Sequence, residues 1–237
     1  MIKTILFDLD GTLLPMNIDK FIKTYFDHLS AHMEKYGYEK QEFSNTIWSC
    51  IKAMVKNDGT QTNKQVFWQE FSKVYGEKSQ TDLPYFDDFY ENYFNNVQHS
   101  CGYNKQSLQL IKTLKQMGYK LILATNPLFP RVATQKRIKW AGLDEHDFDL
   151  ITVYENSCYS KPNLQYYKDI LLKQNINPLE CMMVGNDVGE DMIASQLGLK
   201  VFLLTADIIN RNNQDISVYP NGDMNDLLEY IKMVDKK

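Results

Sequence analysis

The chain has 237 residues, 43% of them hydrophobic, and a formal net charge of −4. That length suits one large or two modest domains, and the hydrophobic share is enough to build a packed core. The acidic balance argues against a nucleic-acid polymer or an anionic membrane surface as partner, but not against a phosphate held locally by a metal or a few placed cations.

Taken in chain order, Ile2, Ile5, Leu6 and Phe7 form an apolar run too short for a helix, and the pattern predicts a buried strand. It runs into Asp8-Leu9-Asp10-Gly11-Thr12. Alternation along an extended chain would turn Asp8 and Asp10 to the same side. Two crowded carboxylates are costly unless a cation lies between them or one holds a proton. Gly11 lets the backbone turn sharply, with Thr12 behind it. The plainer alternative is that an Asp here caps a following helix.

From Met16 to about Cys101 only helical spacing is evident. Four amphipathic stripes follow one another: Ile18 to Tyr36, Phe43 to Val55, a third capped by Asn63, and a fourth over Phe86 to Val97. Together they predict an all-helical module. His28 and His32 share a helix face, but no Glu accompanies them, so a solvated pair is expected. The module's many aromatic side chains read most simply as its core.

After Cys101 helix and strand alternate. Leu108–Met117 is helical, 119–124 a strand, Pro130–Trp140 a helix and 149–153 a strand. A helix over 163–174, a strand over 181–184, a helix to Leu197, a strand over 200–204 and a last helix over 224–234 complete the chain. Near-continuous apolar strands separated by helices predict a Rossmann-like parallel sheet covered on both faces. The expected division is an α/β core of residues 1–14 and 102–237, with a helical domain of residues 15–101 inserted after the first strand. Hinges are expected around residues 14–17 and 98–104.

Cys50, Cys101, Cys158 and Cys181 lack any C-x-x-C spacing, so reduced thiols in a cytoplasmic protein are expected. No signal-peptide pattern and no bilayer-length apolar run is visible.

Ligands of open parallel sheets bind beyond the carboxyl ends of the strands. Four polar clusters fall just there: Asp8/Asp10, Thr125/Asn126, Ser160/Lys161 and Asp187/Asp191. Carboxylates without His or Cys suit a hard cation such as Mg²⁺, while a Lys and a Thr supply donors to phosphate oxygens. An Asp can also be a nucleophile. Phosphoryl transfer uses all of these.

DLDGT, Thr125, Lys161-Pro162 and GNDVGED, in that order, resemble the motifs of the haloacid dehalogenase superfamily of hydrolases, and the insert resembles that family's helical cap. The resemblance implies Asp8 as nucleophile, and Asp10 as general acid and then base, with the Asp10 carbonyl on the metal. It implies Thr125 and Asn126 at the phosphoryl group, and Lys161 holding the charges of Asp8 and phosphate together. Asp187 would ligate Mg²⁺ with Asp8, and Asp191 would orient metal-bound water or Lys161. Gly11 and Thr12 would support the loop. Members that break carbon–halogen bonds need only the first acid, so Asp10 favours phosphate chemistry. Asn186 departs from the commoner Gly-Asp start of the last motif. The implied activity is a Mg²⁺-dependent phosphatase of a small phosphorylated metabolite. A phosphomutase and a non-catalytic phosphate- or Mg²⁺-binding module are the alternatives. Arg131 is expected at the surface. Substrate identity and oligomeric state stay open.

Overall fold

The computed structural model describes residues 1–235. Its centre is a fully parallel six-stranded sheet of β1 (Thr4–Phe7), β2 (Lys120–Leu123), β3 (Leu150–Ile151), β4 (Cys181–Gly185), β5 (Lys200–Leu204) and β6 (Asn221–Gly222). Their order in space is β3-β2-β1-β4-β5-β6. The chain builds outward from β1 to β3, then returns to lay β4 against the other side of β1. This reversal puts a crevice at the carboxyl end of β1, where ligands of such sheets bind.

Period-two alternation explains the layers. Ile5 and Phe7 join one buried cluster with Leu121, Leu123, Met182 and Val184, whereas Leu6 joins a second with Ile122 and Met183. Because both faces of every central strand are buried, the strands read as continuous apolar runs.

The segment between β1 and β2 opens with α1 (Ile18–Glu34), α2 (Lys40–Val55), α3 (Asn63–Tyr75), α4 (Lys78–Thr81) and α5 (Leu83–Asp88). Helix α6 (Lys105–Gln116) leads to β2, and α7 (Arg131–Trp140), α8 (Leu164–Gln174) and α9 (Met224–Asp235) complete the covering layers. Helices α6 and α9 pack on the face that carries Phe7, and α8 on the face that carries Leu6.

The expected fold class is present, with several local differences. The expected fourth stripe is not one regular helix. After α5 the chain widens to a π turn over Phe89–Tyr93 and tightens to 3₁₀ over Phe94–Ser100. Phe89 and Phe94 are both fully buried and lie five residues apart, a spacing that a π turn brings onto one face. The strand expected over 149–153 pairs for two residues only. The helix expected after Asp187 is a 3₁₀ segment from Met192 to Leu197. His32 is buried, with Nε2 on the Tyr85 carbonyl at 3.1 Å, because its helix face meets α5 rather than solvent.

The helices sit on the sheet through a polar joint. Thr62, not Asn63, caps α3 through a box with Gln65. This releases the fully buried Asn63 side chain, whose Nδ2 donates to the Pro127 carbonyl and to Ser160 Oγ, both at 3.0 Å. Asn57 Nδ2 donates to Asn63 Oδ1 at 2.8 Å. The Asn63 and Lys64 amides donate to the carbonyls of Ser157 and Tyr154. The two chain crossings run side by side, with Met16 bridged to Cys101 and Gly102 N donating to the Pro15 carbonyl.

Replacing Asn63 by Ala strands several buried polar groups and is expected to cost about 1–3 kcal/mol in urea unfolding. A loss below a few tenths of a kcal/mol would show that the joint carries no stability.

Candidate active site

The first strand delivers Asp8 into the crevice. Its amide donates to the Val184 carbonyl at 2.9 Å, so β4 fixes the residue's height above the sheet. Gly11 turns the chain with φ of +81°, and a Cβ there would lie 2.2 Å from Asn186 Nδ2. The Thr12 hydroxyl lies 3.0 Å from Asn186 Oδ1 and 3.4 Å from Asp8 Oδ2. Asn186, the departure from the family pattern, therefore ties the first and last motif loops together. Its Nδ2 also donates to the Asp207 carbonyl at 2.7 Å.

Lys161 is the hub. Its side chain is 1% exposed, and Nζ donates to Asp8 Oδ1 at 2.9 Å and to Asp191 Oδ1 at 2.6 Å. Burial works against the ammonium, but Asp191 and Asp8 outweigh it and hold the pKa of Lys161 well above the usual lysine range. Asp191, equally buried, also accepts the Asp187 amide at 3.0 Å. Burial pushes its carboxyl up to about 7, with Lys161 opposing. Gly185 makes room for it, since a Cβ there would lie 2.0 Å from Asp191 Oδ2.

Asp187 Oδ1 accepts the amides of Gly189 and Glu190, while Oδ2 accepts Arg211 Nη1 at 2.5 Å. The Thr125 carbonyl is held by Thr152 Oγ1 and the Tyr166 hydroxyl, and the Thr125 hydroxyl makes no hydrogen bond to a described residue. Asn126 Nδ2 donates to Glu190 Oε2 at 3.0 Å, and its Oδ1 accepts the Lys161 amide at 3.3 Å.

Asp10 Oδ2 accepts from Arg137 Nη1, and Oδ1 is buried without a partner. Burial pushes the Asp10 carboxyl up to about 6; Arg137 opposes this and Asp8 adds to it. Arg137 is itself 1% exposed, with its guanidinium carbon 4.5 Å from the Phe129 ring centroid and Nη2 donating to Thr134 Oγ1.

The sequence clusters thus meet in one place. Asp8, Asp10, Thr125, Asn126, Asp187 and Asp191 line a single cavity of about 360 Å³, with Lys161 beneath them. Gly11 and Thr12 stand behind as loop supports. Arg131 is exposed, its amide on Glu155. Arg137, Arg211 and Glu190 were not expected at the site. Arg137 did leave a sequence signal, because it shares a helix face with Ala133, Ile138 and Ala141, all buried. Among the described residues no three His, Cys, Asp or Glu side chains gather as a cation cage. Asp8 and Asp187 line the cavity with Asp10, whose carbonyl accepts no hydrogen bond from a described residue, and all offer oxygen donors. Such a set fits Mg²⁺, which keeps several waters and takes one or two carboxylates.

The sequence profile of haloacid dehalogenase-like hydrolases matches residues 5–204. Pyrophosphatase PpaX of Bacillus pumilus is 26% identical over 203 residues, covering 84% of this chain and 81% of that protein. Glyceraldehyde 3-phosphate phosphatase of Methanothermobacter thermautotrophicus is 24% identical over 113 residues, covering 44% of this chain and 49% of the relative. The crystal structure of a HAD phosphatase from Thermococcus onnurineus superposes with a TM-score of 0.60 at 20% identity, covering 97% of this chain and 98% of that one.

Lys161→Met leaves Asp8 and Asp191 buried without their cation and is expected to cost about 3–5 kcal/mol in urea unfolding. Without the ammonium, which opposes the rise, the Asp191 carboxyl moves above about 7 in the folded state, so the loss should be level at lower pH and grow as pH rises through 7. A pH-independent loss would contradict the ion-pair reading.

Proposed function

This chain belongs to the haloacid dehalogenase-like hydrolases, and we propose that it is a Mg²⁺-dependent phosphatase acting on a small phosphorylated metabolite through an aspartyl-phosphate on Asp8. The observation that carries the reading is the pairing of a buried Lys161–Asp8 contact with a second acid, Asp10, on the same cavity wall. Halide needs no proton to leave carbon, so that second acid has a task only where an alkoxide departs.

In the proposed reaction Asp8 attacks phosphorus while Lys161 offsets the repulsion between its carboxylate and the phosphoryl oxygens. The Thr125 hydroxyl and the Asn126 amide orient the phosphoryl group. Asp10, protonated, gives its proton to the leaving oxygen as the P–O bond breaks. Asp10 then takes a proton from water, which attacks phosphorus and returns Asp8 as a carboxylate with inorganic phosphate. Asp8, Asp187 and the Asp10 carbonyl would hold Mg²⁺, which supplies Lewis-acid stabilisation of phosphoryl charge. Arg211 now places a positive charge on Asp187, and its side chain is 60% exposed, so it is free to yield that position. Asp191 holds Lys161 and the Asp187 amide in place.

Residues 1–14 and 102–237 form the catalytic core in this reading, and residues 15–101 a cap that closes over the cavity and excludes water. The paired crossings near Met16 and Cys101 are where the cap would pivot.

Asp8→Asn should lower phosphate release roughly a thousandfold or more while the protein stays folded. Substantial remaining turnover would remove Asp8 from the nucleophile role. Chelation of divalent cations should abolish release and Mg²⁺ should restore it; release that survives chelation would contradict the metal assignment. The acid form of Asp10 is needed first, so kcat for an alkyl phosphate should fall about tenfold per unit as pH rises above 6. A kcat that rises from pH 6 to 8 would contradict the acid role.

A further inference from the structure

The cavity's two ends differ in chemistry. Its floor holds Asp8, Asp10, Asp187, Glu190 and Asp191, whereas its roof and walls are overwhelmingly apolar and aromatic. Trp48 is 39% exposed and stacks on Phe26 with centroids 5.0 Å apart and rings 12° from parallel. Phe67 and Trp68 form an edge-to-face pair at 5.2 Å, and Tyr154 lies against Phe67 at 6.4 Å. All five line the same space or, for Phe26 and Trp48, its helical side. The phenols of Tyr25 and Tyr90 hydrogen-bond each other at 2.7 Å, and burial pushes both up, so they remain neutral.

Charge on the cap side is sparse. Lys64, with Nζ 5.9 Å from the Tyr154 ring centroid, and Asp87 are the two charged residues of residues 15–101 that line the cavity. Arg137 is engaged by Asp10 and Lys161 by two acids, whereas Arg211 pairs with Asp187 and is exposed. A polyol would face rings in place of hydrogen-bonding partners.

Resting on the phosphatase reading above, we infer that the substrate is the phosphate monoester of an alcohol borne on an aromatic ring. Flat rings find stacking and edge contacts on these walls, and a volume near 360 Å³ admits one such ring beyond the phosphate.

The test compares benzyl phosphate, pyridylmethyl phosphate, glycerol 3-phosphate and pyrophosphate with Mg²⁺ present. It adds a binding arm in which benzylphosphonate and methylphosphonate are titrated into the Asp8→Asn protein. Trp48 and Trp68 line the cavity, so tryptophan fluorescence reports occupancy without turnover. The aromatic esters should exceed the other two by about tenfold or more in kcat/KM, and benzylphosphonate should bind about tenfold tighter than methylphosphonate. Trp48→Ala should shrink both ratios. Parity or preference for glycerol 3-phosphate or pyrophosphate would overturn the aromatic assignment and leave the phosphatase reading standing. Equal affinity for the two phosphonates would also overturn it. Tighter benzylphosphonate binding with no phosphate released from any ester would refute the phosphatase reading and uphold the aromatic site.

Discussion

A lysine ammonium sealed between two carboxylates is the constraint on which this structure turns. Lys161 is buried beside Asp8 and Asp191, and a charge so placed persists only when its partners sit at hydrogen-bonding distance. Each surrounding element serves that requirement. β1 and β4, in register, bring Asp8 to the ammonium from one side. Gly185 vacates the space that Asp191 fills on the other. Asn126 holds the Lys161 amide, and Asn63 reaches from α3 to the Pro127 carbonyl and Ser160 hydroxyl that flank the two loops. The ammonium in turn places positive charge where a phosphoryl group next to Asp8 would need it.

The same molecule sets two unlike surfaces against each other. An acidic floor on the carboxyl edge of the sheet suits a hard cation and a phosphate. The wall above is aromatic, held by ring contacts such as Phe26 on Trp48 and Phe67 on Trp68 in the helical insert. In a low-dielectric enclosure of this kind, charges on the floor interact more strongly than in water. The apolar side chains of the helical insert thereby strengthen charge interactions on the floor below.

The sheet, its helices and the insert were readable because strand burial on both faces writes continuous apolar runs, while helices write a 3.6-residue stripe. Most motif residues were readable because they directly follow a strand, and Asp8, Thr125 and Asp187 line one cavity with Lys161 in contact with Asp8. What stayed hidden depends on tertiary contact. The π turn after α5 answers to the burial of Phe89 and Phe94 in a packed core, which local propensity does not encode. β6 has two residues and reads as a turn. Asn63 looks like a helix cap in sequence, yet Thr62 takes that role and Asn63 ties α3 to the Pro127 and Ser160 loops. Arg211 comes from a polar loop with no pattern of its own, and only the fold brings it to Asp187. Arg137 was the one hidden site residue with a visible sign, a cation on an otherwise apolar helix face.

The decisive measurement is a rapid acid quench of the protein with an ester carrying labelled phosphate, followed by mapping of the label on the chain. Nucleophilic attack by Asp8 requires label on the peptide that contains Asp8, appearing before steady-state phosphate release and discharged by hydroxylamine as an acyl phosphate is. Labelled phosphate released at full rate with no label on the protein at any time would mean that water attacks the substrate directly, and Asp8 would lose its place at the centre of the chemistry.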